Sequence, residues 1–296
     1  MNIGFVGIIL GEKEIKMKTC ILKNASEDNL LRLIDYNIQT LDKALDYLIE
    51  NDIHLFRISS DFIPFGSHEV NKIKWWEIFE KPLLEIGKKA KDHHIRLSTH
   101  PGQYTIINSQ NENLTQRSTT DLEYHTKILD SLGLPASHKL ILHIGGVYGD
   151  KEKAMERFVE NYKKLPLNIK HRLIIENDDR NYTAEDVLKI SKETGAPVVF
   201  DYLHYLLNHD KDNTDCKEMI LRCRETWKKS DGTQKIHYSQ QATGKRLGSH
   251  SETIDPTEFY DLSKILPEKI DVMFEVKDKN LSVLKYREFI KNIPQN

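Results

Sequence analysis

Short apolar runs, rich in β-branched and aromatic residues, recur along the chain at Ile3–Ile9, Leu55–Ser59, Arg96–Thr99, Leu140–Ile144, Leu173–Asn177, Val198–Asp201, Lys235–Ser239 and Val272–Val276. Most stay apolar until a polar residue ends them, as parallel strands buried on both faces do. Between them, apolar positions at spacings of three and four predict helices over Asp28–Glu50, Trp75–His93, Ser118–Leu132, Lys151–Leu165, Thr183–Thr194, Asp215–Lys228, Pro256–Leu266 and Ser282–Ile290. Thr183 with Asp186 three residues on predicts a capping box; Gly195 then sits where a C-terminal glycine belongs, with Pro197 after it. Alternating strands and helices demand a parallel sheet with right-handed crossovers. Eight such units favour closure into an α/β barrel of the (β/α)₈, or TIM, type. A doubly wound open sheet is the other candidate, but Gly4, Gly7 and Gly11 do not form GxGxxG after the first strand.

The length of 296 residues, 39% of them hydrophobic, matches the roughly 250 that one such barrel needs. No low-complexity linker divides the chain, so residues 1–296 read as one domain. The start, MNIGFVGIILGEKE, lacks the basic flank and long apolar run of a signal peptide. No stretch approaches the roughly 20 apolar residues of a membrane helix, and a cytoplasmic location is expected. Cys20, Cys216 and Cys223 are too few and too irregular for a disulfide framework or a thiolate zinc site. The formal charge of −2 is unlike the basic footprint of most DNA-binding proteins. Bound cations would make an acidic cleft locally positive without altering that count, so charge alone neither supports nor excludes nucleic acid.

Polar residues gather where the predicted strands end, the face on which barrel active sites sit. The third strand ends at His100, the fourth carries His143, the fifth Glu176, and the sixth Asp201 with His204 one turn later. The seventh holds His237 and the eighth Glu275; His250 follows in GSH. Singly, each has a bland explanation, and His54, His93, His94, His125, His138, His171 and His209 are given it because none repeats the strand-end position. Six successive strands ending in metal-competent side chains are harder to assign to coincidence. Imidazole and carboxylate without thiolate suit Zn²⁺ or Mn²⁺. Eight ligand candidates exceed what one four-coordinate ion uses, so two or three divalent ions are implied. Paired cations about 4 Å apart suit in-line phosphoryl displacement.

Lys235 shares a strand face with His237 and lies one layer deeper. It is expected either to pair with an inward carboxylate such as Glu176, or to be neutral or carboxylated into an anionic ligand.

At these residues the sequence resembles the ultraviolet damage endonucleases. The segments are FRISSDFIPFGSH (56–68), STHPGQY (98–104), LHIGGVYG (142–149), IENDDR (175–180), FDYLHYLLN (200–208), KIHYSQQ (235–241), GSH (248–250) and FEVKDK (274–279). Each is weak alone; all eight in order are specific. That family is similar in fold and metal cluster to the three-metal barrel endonucleases that cut at abasic sites. The resemblance implies incision of duplex DNA on the 5′ side of a photoproduct, leaving a 3′-hydroxyl and a 5′-phosphate, without a nucleotide cofactor.

It further implies that His100, His143, Glu176 and Glu275 hold one metal, and Glu176, Asp201, His237 and Glu275 its neighbour. His204 and His250 would hold a third. Mn²⁺ is favoured, with Zn²⁺ or Co²⁺ admitted. Lys235 aligns with a lysine the family carries in modified form, His68 with a histidine beside the cleavage site, and Gln103 and Tyr104 with the pair inserted at the lesion. Glu176, Glu275, Lys235 and His68 are thus the expected catalytic residues, in a monomer. The first strand departs from the pattern: Phe5, Val6, Gly7, Ile8 and Ile9 stand where relatives carry a Tyr and, a few residues on, an Asn lining the DNA groove.

Two other readings compete. A metal-dependent sugar isomerase or epimerase would also place His, Glu and Asp at strand ends, generally around fewer ions. A non-enzymatic metal-binding scaffold would favour a small closed site over an open rim.

Overall fold

The computed structural model describes residues 1–11, 15–209 and 215–293; the charged residues 12–14 that end the apolar start lie outside these. Eight strands, β1 (Asn2–Val6), β2 (Leu55–Arg57), β3 (Arg96–Thr99), β4 (Lys139–His143), β5 (Leu173–Glu176), β6 (Val198–Asp201), β7 (Lys235–Tyr238) and β8 (Asp271–Phe274), pair in parallel and in sequence order. β1 also pairs with β8, Ile3 opposite Val272, and this closes the barrel. The helices are α1 (Glu27–Glu50), α2 (Trp75–Ile78), α3 (Glu80–Asp92), α4 (Glu112–Ser131), α5 (Lys151–Lys164), α6 (Leu167–Arg172), α7 (Ala184–Thr194), α8 (Tyr202–Leu207), α9 (Cys216–Glu225), α10 (Pro256–Ser263) and α11 (Asn280–Lys291). Among the described residues, no helix is long and apolar enough to cross a membrane.

Local signals explain most boundaries. Thr183 and Asp186 form the reciprocal capping box at the start of α7, and Gly195 ends that helix in the left-handed region at φ 73°. The strand expected to reach Ile9 stops at Val6, and Gly7 follows with φ 77°. The single helix expected over Trp75–His93 is two, α2 and α3. Pro82 is the reason: it lacks the N–H that would bond to the Ile78 carbonyl four residues back, and its ring crowds that group. α4 begins at Glu112 rather than Ser118, because the Asn111 side chain accepts from Asn113 N at 2.9 Å and caps an earlier start. α6 and α8, one or two turns each, were not anticipated.

Side chains alternate between the helix layer and the barrel interior. Leu140, Leu142, Leu173, Ile175, Val198 and Phe200 join the core under the helices. Ile141, Ile174 and Val199, on the opposite face, form a separate apolar cluster. His143, Glu176 and Asp201 each stand two residues further on, so they rise from this floor toward the C-terminal mouth. At the opposite end, Arg96 and Lys139 begin β3 and β4 and are tied off by Asp271 and Asp231: Arg96 Nη1 lies 2.8 Å from Asp271 Oδ2, and Lys139 Nζ 2.5 Å from Asp231 Oδ1.

Candidate metal centre

Among the described residues, three overlapping groups of donor atoms lie at the mouth: His100, His143 and Glu176; Glu176, Asp201 and His204; and Glu176, His237 and Glu275. Within each group the donor atoms lie within 4.8 Å of one another, and Glu176 belongs to all three. Its Oε2 stands 3.4 Å from His100 Nε2 and 3.7 Å from His143 Nε2, while Oε1 meets His237 Nδ1. His237 Nδ1 also lies 3.2 Å from Glu275 Oε1.

Neighbouring rings form a chain around the mouth. His237–His100, His100–His143, His143–His204 and His204–His250 are separated by 6.4, 5.1, 6.1 and 6.3 Å between centroids. His250 lies outside the three groups and joins through His204. Secondary contacts orient the rings: His204 Nδ1 donates to Asn177 O at 3.0 Å, and His250 Nδ1 to Glu275 O at 2.5 Å. Such contacts fix an imidazole and leave its Nε2 as the available donor atom. Asn177 also exchanges hydrogen bonds with the Asp201 backbone, at 2.8 and 3.0 Å, locking the ends of β5 and β6 together.

The electrostatics are those of a site short of positive charge. Burial pushes the Glu176 carboxyl well above its usual range, with Glu275 and Asp201 adding repulsion. Asp201 is also raised by burial, against the pull of His204. Burial holds His100 and His237 well below the ordinary histidine value and His143 at about 4, so these rings are neutral at pH 7. His204 is raised: burial opposes this, but Asp201 and the Asn177 carbonyl outweigh it.

The donor set fits divalent cations. Among the described residues, Glu176 Oε2 and Asp201 Oδ2 are buried without a hydrogen-bond partner, as are the Nδ1 atoms of His100 and His143. Unmatched buried polar atoms are costly and rare in native proteins, and here the two carboxylate oxygens belong to residues of the donor groups.

Arg57, at the end of β2, was not singled out by sequence reasoning. It is 5% exposed, its Nη1 lies 2.6 Å from Glu275 Oε1, and its Nη2 lies 2.6 Å from His237 Nε2. Burial alone would raise the Glu275 carboxyl, but Arg57 and then His237 outweigh it and hold it well below the usual range. An arginine ending a short apolar run reads as a solvated terminus, so the only signal was its place in the FRISSD segment. Lys279 was also missed. It is half-buried at the head of α11 with φ 53°; burial lowers its ammonium from the ordinary lysine value, with Glu275 opposing and Arg57 adding to the shift. Phe65 and Tyr148, in the loops after β2 and β4, likewise have positive φ, as do Asp52 and His94 ahead of β2 and β3 at the opposite end.

Lys235 is fully buried one layer below His237, and its Nζ has no hydrogen-bond partner among the described residues. The expected pairing with Glu176 is absent from the hydrogen bonds of the described residues. Burial, followed by Arg96 and Arg57, drives its ammonium well below the ordinary lysine value.

The model of the UV-endonuclease UvdE family matches residues 4–295. The chain belongs to that family. A UV DNA damage endonuclease of Clostridium perfringens (strain 13 / Type A) is 43% identical over 99% of this chain and 71% of its own length. The crystal structure of SacUVDE superposes with a TM-score of 0.92 at 37% identity, covering 98% of both chains. D-Psicose 3-epimerase from Clostridium cellulolyticum H10 is 14% identical, covers 79% of both chains, and has a TM-score of 0.52. That last likeness shows the barrel alone.

The remaining expected residues of this family member lie around the mouth, outside the ligand groups. Gln103 and Tyr104 occupy the corner of a turn closed by Thr105 N on Gly102 O at 2.9 Å, and Tyr104 is 80% exposed. His68 is exposed in the loop after β2; its Nδ1 accepts from Val70 N and its ring lies edge-on to Phe65. Phe5, at the departure in the first strand, is fully buried against Phe56, with centroids 5.3 Å apart. It faces the helix layer and lines no groove.

Proposed function

We propose that this protein is a metal-dependent UV damage endonuclease that incises duplex DNA immediately 5′ of photoproducts, leaving a 3′-hydroxyl and a 5′-phosphate. The observation that carries it is the cluster of donor groups sharing Glu176 at the barrel mouth, in a chain of the UvdE family. Residues 1–296 act as one domain, as a monomer in the cytoplasm at the nucleoid, without a nucleotide cofactor.

In this reading His100, His143, Glu176 and Glu275 hold one cation, Glu176, Asp201, His237 and Glu275 a second, and His204 with His250 a third, Mn²⁺ being favoured over Zn²⁺ or Co²⁺. When bound, the cations activate water and neutralise charge developing on the scissile phosphate. The protein's part is to present three of its imidazole ligands, His100, His143 and His237, already neutral. Its neutral imidazoles need lose no proton at pH 7, and the apolar floor of Ile141, Ile174 and Val199 stiffens the strands that carry them. Asn177 and the Glu275 carbonyl keep His204 and His250 oriented.

Lys235 is carboxylated in this proposal. A neutral amine adds to carbon dioxide and loses a proton, so a costly buried ammonium becomes an anion. Support comes from its full burial and unpartnered Nζ. High-resolution density with a bare amine in metal-loaded crystals would exclude it.

His68, exposed in the loop after β2, meets the phosphate at the cut in this reading. Gln103 and Tyr104, solvent-facing at a turn corner, fill the gap left by an extruded crosslinked dinucleotide, whose poor stacking makes extrusion inexpensive. An isomerase of the same build would have no use for so exposed a pair. Conversion of irradiated supercoiled plasmid to the nicked form, blocked by EDTA and restored by Mn²⁺, tests the function. Equal nicking of unirradiated plasmid would overturn it.

A further inference from the structure

The loop between β7 and α10 is a hairpin with an apolar tip. Its arms meet at the bridge between Gln241 and His250, and Ala242 N donates to Ser249 O at 2.8 Å. The Gln241 side chain braces it from within: Nε2 donates to the carbonyls of Ala242 and Arg246 at 3.1 and 3.0 Å, and Oε1 accepts from Gly248 N at 2.8 Å. Gly248 has φ 83°, and a Cβ there would lie 2.4 Å from Asp179 Oδ2, so the hairpin packs tightly on the loop after β5. These bonds hold the backbone. The Leu247 side chain meanwhile stands 69% exposed, beside exposed Lys245 and Arg246.

An isolated exposed leucine is ordinary. This one is set apart by its preformed mount, by its two cationic neighbours, and by its place. The hairpin ends at His250, whose ring lies 6.3 Å from His204 at the metal centre. β7 and β3 stand four strands apart in a closed ring of eight, so the loops after them rise on opposite sides of the mouth. One bears Tyr104, the other Leu247. Proteins that kink duplex DNA combine cations for phosphates with an apolar wedge between base steps.

We infer that Leu247 is a second wedge, entering damaged duplex from the side opposite Gln103 and Tyr104, with Lys245 and Arg246 seated on the flanking phosphates. This rests on the DNA-cleaving reading above. A wedge inserts more readily where a lesion has already disturbed stacking. Leu247 therefore contributes to the preference for damaged over intact duplex, whereas the two cations contribute to both alike.

The test is anisotropy of metal-loaded protein with a duplex carrying one cyclobutane dimer, beside the same duplex intact, with 2-aminopurine next to the lesion. Leu247→Ala should weaken the damaged complex about ten-fold, leave the intact one within about two-fold, and suppress the 2-aminopurine signal. Lys245→Ala with Arg246→Ala should weaken both and lower the salt slope by roughly one per lost phosphate contact. Where alanine disturbs the hairpin, seen as lost metal, Leu247→Gln carries the test at similar length, with the same result expected. Wild-type binding of both duplexes by the Leu247 variants, or equal loss on both, would overturn the wedge. So would a change in self-association without a change in DNA binding. If wild-type protein shows no preference for the damaged duplex, the function itself falls, whatever the variants do.

Discussion

Both ends of this barrel bury ionisable side chains, and they handle them in opposite ways. At the N-terminal end, Arg96 meets Asp271, the Thr233 carbonyl and the Ser137 carbonyl, and Lys139 meets Asp231 and the His171 carbonyl. Charges there are matched in sign and by directional hydrogen bonds. At the C-terminal mouth, carboxylates face neutral imidazoles and one another, and several buried atoms lack partners. The same strands supply both ends, so strand chemistry does not make the difference. The closed end pairs Arg96 and Lys139 within the protein; the mouth is complete only when positive charge is added, and Arg57 supplies just part of it.

The largest effects should separate the two ends. Glu176→Gln removes the residue common to all donor groups. Incision should fall on the order of a thousand-fold or more, several kcal/mol of lost stabilisation, with metal content reduced and the fold intact by circular dichroism. Wild-type turnover in saturating metal would show that Glu176 bridges nothing.

Asp271→Ala should do the reverse, leaving Arg96 buried without its carboxylate. Urea unfolding should report a loss of about 3 kcal/mol, while incision by the folded fraction stays near wild type. If activity and stability fell together, the division between the ends would be false.

Arg57→Met sharpens the comparison at the mouth. In EDTA the protein should lose about 1–3 kcal/mol, because Glu275 is left with no guanidinium. Added Mn²⁺ should recover most of that loss, since the cation supplies the charge. Equal loss with and without metal would make Arg57 a plain structural residue.

Gln103→Ala with Tyr104→Ala should reduce the preference for damaged over intact duplex by on the order of 1–3 kcal/mol per lost stack, read by competitive binding. Cutting of abasic substrate should suffer less.

The smallest effect concerns protons. Because the Glu176 carboxyl is raised by burial and repulsion, metal binding should expel a proton from it, and apparent affinity should increase as pH rises through its elevated value. The neutral histidines release none at pH 7; His143 competes for protons only near pH 4. Calorimetry in two buffers of different ionisation enthalpy measures the release. An unchanged proton count in Glu176→Gln would locate the proton elsewhere.

Much of this was legible along the chain. Continuous apolar runs marked strands buried on both faces, Thr183 and Gly195 marked the ends of α7, and the strand-end residues His100, His143, Glu176, Asp201, His237 and Glu275 marked the mouth. What failed had physical causes. Pro82 broke a helix that periodicity alone carried through, and Gly7 ended β1 early. α8 is a turn and a half capped by Asp201, too short for a periodic signal.

The sequence by itself determined the fold and the kind of donor at each strand end, because parallel pairing and side-chain alternation follow from local pattern. Only the tertiary structure decided which charges meet. Arg57 reaches His237 across 180 residues, and Arg96 reaches Asp271 across 175. No local rule distinguishes an arginine that completes a sealed ion pair from one that stands among metal ligands. Nor could it show that Lys235 Nζ is left without a partner, since that depends on barrel closure bringing side chains of distant strands into one interior layer.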